Sequence, residues 1–290
     1  MNQPPGSGCV ATTPEVRSAE ATEEDRRRAP SKVESPPAPT YDRAFFWGYA
    51  ANGLLTTTNA LLTRYVEFVR VHEPVHTEWQ LGMIVGFGMI GALLMRLSLG
   101  GAVDRYGAGR MWQWCGLAAV LTCAAHLLLV RVDDAWVFFV RAAYQTSLAG
   151  VFGSSIVYVS RRGSPEKMAE LIGTLGTSGF LGMFVGPVLG DVIFSLDLPA
   201  PVKVRLMFAA ASALALFAWL CTFGAVRGEV RETHLPSGDS MFSLLRRHQP
   251  GAIMLVGVLF GVALVLTFSF FPDFAKQTHI NGVGWFFTVY

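Results

Sequence analysis

Residues 171–190 read LIGTLGTSGFLGMFVGPVLG, twenty positions without a charged side chain. As a helix rising about 1.5 Å per residue, such a run covers about 30 Å, the thickness of the hydrocarbon core of a bilayer. The stretch carries Gly173, Gly176, Gly179, Gly182, Gly186 and Gly190, with Pro187 among them. Glycines four apart make a groove for another helix, and Pro187 removes one backbone donor and permits a bend.

The same pattern recurs along the chain. Residues 44–63, 79–95, 111–130, 206–226 and 251–272 carry no charge, and 135–160 is interrupted only by Arg141. Lipid offers no partner to an unpaired backbone group, so each run must be helical. The sequence predicts an all-α polytopic membrane protein with seven transmembrane helices and the start of an eighth at 282–290. Composition agrees: 52% of the 290 residues are apolar and only 15% charged, where soluble domains carry about 25%. These values exclude disorder as the main state and argue against a soluble enzyme. The net charge of +2 is too small to suggest nucleic-acid binding. Of the four cysteines, Cys115, Cys123 and Cys221 sit inside apolar runs and read as small hydrophobes rather than as a disulfide set.

Residues 1–42 hold seven of the fifteen prolines and few large apolar side chains, which predicts a disordered tail. The segment lacks the compact apolar core of a signal peptide. Residues 43–226 form the predicted six-helix transmembrane bundle. Residues 227–250 are the longest break, a linker in which Met241, Phe242, Leu244 and Leu245 beside Arg246 and Arg247 suggest a short interfacial helix. Residues 251–290 begin a second bundle. With the tail inside, fifteen Lys and Arg fall on the inner side and six on the outer, which favours a cytoplasmic N-terminus in an inner membrane.

Three motifs suggest what the bundle does. After the second run the chain reads Gly100-Gly101-Ala102-Val103-Asp104-Arg105-Tyr106-Gly107-Ala108-Gly109-Arg110. This resembles the signature loop of the major facilitator superfamily, in which a Gly is followed four residues later by Asp-Arg and then by Gly and a basic residue. Ala108 and Gly109 stand where the family has a basic pair. Arg141 followed by Tyr144 and Gln145 partly matches the family's fourth helix, where Arg precedes Gln-Gly. Gly182-x-x-x-Gly186-Pro187-x-x-Gly190 resembles the bend motif of exporting members, with Asp191 in place of its last glycine. The resemblance implies two six-helix bundles around a central site, moving by alternating access. In that setting Gly100, Asp104, Arg105, Gly107 and Arg110 form a gating loop, with Asp104 capping a helix or pairing with Arg.

Polar residues inside the runs are the cavity candidates. Asn52, Thr56 and Asn59 recur at i, i+4 and i+7 and share one face, facing a cavity or hydrogen-bonding a neighbouring helix. Arg141, Tyr144 and Gln145 share a face of the fourth run. A charge at mid-membrane costs about 2.5–3.5 kcal/mol, so Arg141 either faces the interior or snorkels to the outer end. His126 reads as a packed or helix-end histidine. The uncharged runs hold no Asp or Glu, which leaves Asp191, just past the Gly-Pro bend, as the nearest group for proton coupling; a residue that merely ends the helix is the plainer reading. The sequence shows no metal-ligand cluster, cofactor loop or catalytic constellation. The expected partners are the lipid bilayer, a small organic substrate and, as a candidate, a coupling proton. The expected function is a secondary active exporter or antiporter. The alternatives are an uptake permease for a sugar-like metabolite, or a transport-inactive truncated fragment.

Overall fold

The computed structural model describes residues 41–72, 78–129, 131, 132, 134–164, 166–227 and 251–278. Most of the tail, the interfacial helix at 241–247 and the eighth-helix start at 282–290 lie outside the described residues. The chain divides into two compact units, Met1–Pro39 and Thr40–Tyr290, and every described residue belongs to the second.

Among the described residues all regular structure is helical. The order is α1 (Arg43–Leu61), a 3₁₀ turn (Leu62–Arg64), α2 (Tyr65–His72), α3 (Glu78–Tyr106), α4 (Ala108–Ala125) with a 3₁₀ turn (His126–Leu128), α5 (Ala135–Ser160), α6 (Met168–Ser195), α7 (Ala200–Val226) and α8 (Ala252–Gln277). Four of these segments, Gly82–Tyr106, Ala108–Leu128, Met168–Ser195 and Ala200–Val226, are long and apolar enough to cross a membrane. Helices α1, of 19 residues, and α5, of 26, carry the polar side chains singled out above, which lowers their mean hydropathy. Large apolar groups point outward all along these helices: Leu93, Leu94, Leu121, Phe139, Phe180 and Phe217 are exposed. That is the surface of a protein whose solvent is lipid.

Helices α3, α6, α7 and α8 run further than the uncharged runs that seeded them. Helix α3 continues through Arg96, Gly100, Gly101 and Asp104, so most of the expected signature loop is helical. The chain turns at one residue, Gly107, whose φ of 91° is open to glycine and costly for a side chain. Gly100 and Gly101 weaken the helix without breaking it, and a Cβ at either would meet nothing. Helix α6 likewise passes through Pro187 and ends only after Ser195, so Asp191 lies within it rather than past its end.

Packing is organised around α1 and α5. Helix α1 lies against α6 and α7, α5 against α3 and α4, and α4 against α7. The α1–α6 seam is built from the bend motif. A Cβ at Gly182 would lie 2.6 Å from the Gly53 carbonyl oxygen, and one at Gly186 would lie 2.5 Å from Ala60 Cβ. A Cβ at Gly190 would meet the Arg64 side chain at 2.7 Å, whereas Gly173 and Gly176 face open space. Gly179 also faces α1, where a Cβ would lie 3.8 Å from Asn52 Nδ2, but it leaves room for a Cβ that the i, i+4, i+8 set of Gly182, Gly186 and Gly190 does not. At one end of α1, Asp42 caps the helix by accepting from the Phe45 N–H at 2.8 Å.

Gly186→Ala should therefore lower the thermal stability of the purified protein by several degrees, an overpacking cost of about 1–3 kcal/mol. Gly173→Ala should leave it unchanged or raise it slightly, measured by melting in the same detergent.

Candidate functional site

The polar stripe of α1 divides. Asn52 is buried, and its amide donates to Ser178 Oγ at 2.8 Å and to the Leu175 carbonyl at 3.3 Å, both on α6. The Thr56 hydroxyl returns to the Asn52 carbonyl at 2.8 Å, and those of Thr57 and Thr58 return to Gly53 and Leu54. These side chains satisfy themselves inside the membrane region by bonding their own helix or the adjoining one. Of the two readings of the stripe, interhelical hydrogen bonding describes the geometry at Asn52. Asn59 is partly exposed.

Arg141 faces the bundle interior, at 6% exposure, rather than snorkelling outward. Its stem packs against α3, where a Cβ at Gly88 would lie 3.2 Å from Arg141 Cγ and 3.1 Å from Gln145 Cγ. Its guanidinium carbon stands 4.8 Å from the Tyr65 ring centre and 5.9 Å from that of Tyr144. His126 completes the group, with its ring 5.8 Å from each of those two tyrosines and stacked at 5.2 Å on Phe208 of α7. Cation–π contact stabilises a desolvated guanidinium by about 2 kcal/mol, less than the several kcal/mol of burying it. The sequence reading missed Tyr65, which follows directly on Arg64 at the end of the first uncharged run. It set His126 aside because a lone histidine in an apolar helix is usually a packed one.

The ends of the bundle are tied by charge. Asp104 at the end of α3 pairs with Arg161 at 3.3 Å. The next residue, Arg162, pairs with Asp42 at 2.5 Å and donates to the Tyr158 hydroxyl at 2.6 Å. That hydroxyl in turn donates to the Ala225 carbonyl at 2.6 Å. Two adjacent arginines therefore join the ends of α1, α3, α5 and α7. Of the remaining signature residues, Arg105 lies over the Tyr106 ring at 5.3 Å, and Arg110 is exposed. At the opposite end, Arg64 reaches across Gly190 to pair with Asp191 and also lies over the Phe194 ring at 5.6 Å. The group held as a coupling candidate is thus ion-paired.

The sequence profile described as Major Facilitator Superfamily matches residues 44–290. The chain belongs to the major facilitator superfamily. No curated protein matches it. Membership makes it a transporter-family chain and an integral, multi-pass membrane protein, in keeping with the lipid-facing surface of its helices.

Two measurements check this placement. In a background with Cys9 and Cys221 replaced by Ser, a cysteine at Asn59 should react with a water-soluble thiol reagent at least tenfold faster than one at Asn52. Equal rates would place both side chains on one open surface. A double-mutant cycle of Arg64→Gln and Asp191→Asn should show coupling of about 1 kcal/mol by thermal or denaturant unfolding, the upper end for a partly exposed pair.

Proposed function

We propose that this chain is a secondary active transporter of a small organic molecule that works by alternating access and exports its substrate. Residues 43–226 act as one six-helix bundle, 227–250 as a cytoplasmic linker, and 251–290 open the second bundle. The N-terminus lies in the cytoplasm of a cell whose inner membrane holds the protein. The carrying observation is the double tie of Arg161 to Asp104 and Arg162 to Asp42 beside the Gly107 turn. Such a tie joins four helix ends at the face where the bundles must part, and its charges are half-exposed, so making and breaking it costs little. The fit of Gly182, Gly186, Pro187 and Gly190 to the bend motif of exporting members supports the direction. Arg141, Tyr144 and Gln145 on α5, with Asn59 on α1, are the proposed contributors to the central site, and Asn52 and Thr56 its support.

Asp104→Asn tests the reading. In proteoliposomes loaded with a panel of small organic solutes, the variant should slow turnover several-fold while leaving affinity within a few-fold and stability within about 1 kcal/mol. A large loss of affinity with normal turnover would place Asp104 in the binding site instead. An imposed proton gradient should accelerate exit of the transported solute. Acceleration of entry alone would make the protein an uptake permease.

A further inference from the structure

Arg141 and three buried side chains around it end in atoms without a hydrogen-bond partner: Tyr65 Oη, His126 Nε2, Tyr144 Oη, and Arg141 Nε and Nη1. They come from α2, the turn after α4, and α5, and the ring contacts given above make them neighbours. One such atom is a packing irregularity. Five on four adjacent residues form a cage of polar groups that no protein group satisfies.

The chemistry of the cage selects that occupant. His126 Nδ1 lies 2.7 Å from the Thr122 carbonyl, which only accepts, so in the neutral ring Nδ1 carries the proton and Nε2 presents a lone pair. Against that single obligate acceptor stand the N–H groups of Arg141 Nε and Nη1 and the two tyrosine O–H groups. Neither hydroxyl is hydrogen-bonded to His126, so both, with the guanidinium, need an acceptor. Among the described residues no carboxylate pairs with Arg141. Water returns as many donors as it accepts and leaves the charge uncompensated. An anion accepts from every remaining donor and neutralises the guanidinium in a low dielectric.

We propose that Tyr65, His126, Arg141 and Tyr144 form a binding site for a small monovalent anion, either a resident halide or the carboxylate of a bound solute. Tyr65 and Tyr144 donate to it through their hydroxyls, Arg141 supplies the charge, and buried Phe208 holds the His126 ring by stacking on it. The site is independent of transport direction and of the signature-motif tie.

The test titrates the full-length purified protein, freed of chloride, with chloride, bromide, acetate and benzoate. Acetamide and benzamide serve as neutral counterparts, and sodium sulfate at equal ionic strength as the salt control. The melting temperature should rise saturably with a halide, or with a carboxylate but not its amide, and not with sulfate. Halide saturation identifies a resident ion. Carboxylate saturation identifies a solute headgroup. Tyr65→Phe and Tyr144→Phe, which each delete one oxygen, should each raise the half-saturating concentration about tenfold. Arg141→Gln should abolish the response, and if it does not fold the tyrosine variants decide. No response beyond sulfate in the unaltered protein, or an undiminished response in both tyrosine variants, overturns the proposal. Flux of a neutral solute with no anion response would sink the cage and leave transport standing. Anion binding without flux of any solute would do the reverse.

Discussion

Close approach of helix backbones is the constraint on which the rest of this bundle depends. Lipid tails are as apolar as the side chains they touch, so burial of apolar surface does not hold the helices together. Contact distance does. Gly182 and Gly186 bring α6 within van der Waals contact of α1, and Gly190 one turn on does the same for Arg64 in the 3₁₀ turn that follows α1. At that separation Asn52 reaches Ser178, and Arg64 spans Gly190 to reach Asp191. A larger residue at Gly182 or Gly186 would meet the α1 backbone and move α1 away from α6, and one at Gly190 would displace the Arg64 side chain from Asp191. Similar economy joins α3 to α5, where Gly88 admits the stems of Arg141 and Gln145.

Polar groups in this setting do one of three things, and each is visible here. The threonines of α1 bond their own helix and cost little. Asn52 and the charged pairs at the two ends tie neighbouring helices. The Arg141 group does neither, since its cation rests on two aromatic faces with donors to spare. Self-satisfied and tying groups explain how the bundle stands. A group left over is where function is to be sought.

Much of the fold was legible in the sequence because lipid imposes a simple rule: about twenty uncharged residues make a spanning helix. The rule locates helices and says little of their ends. It placed the stretch from Gly100 in a loop after the second helix, although α3 runs on to Tyr106, because Arg96 and Asp104 end an uncharged run without ending a helix. It put Asp191 at the end of a helix that runs on to Ser195 for the same reason. The bend motif was legible as packing because glycine spacing is a local property. The cage was not legible beyond Arg141 and Tyr144. Tyr65 and His126 are brought to them by packing between segments far apart in the chain, and no local spacing encodes that. The pairing of Asp104 with Arg161 was legible as a class of contact, and its partner was not.

If the α1–α6 seam is what makes the first bundle a single moving body, locking it should not matter to transport. A Cβ at Gly53 would lie 3.6 Å from Ser178 Cβ, within the range a disulfide requires. The most direct measurement is therefore solute flux through Gly53→Cys/Ser178→Cys in proteoliposomes, compared between the oxidised and the reduced protein. The expected result is that the disulfide forms and flux is the same in both states. Flux that stops on oxidation and returns on reduction would show that α1 and α6 part during the cycle, and would contradict a bundle that moves as one body.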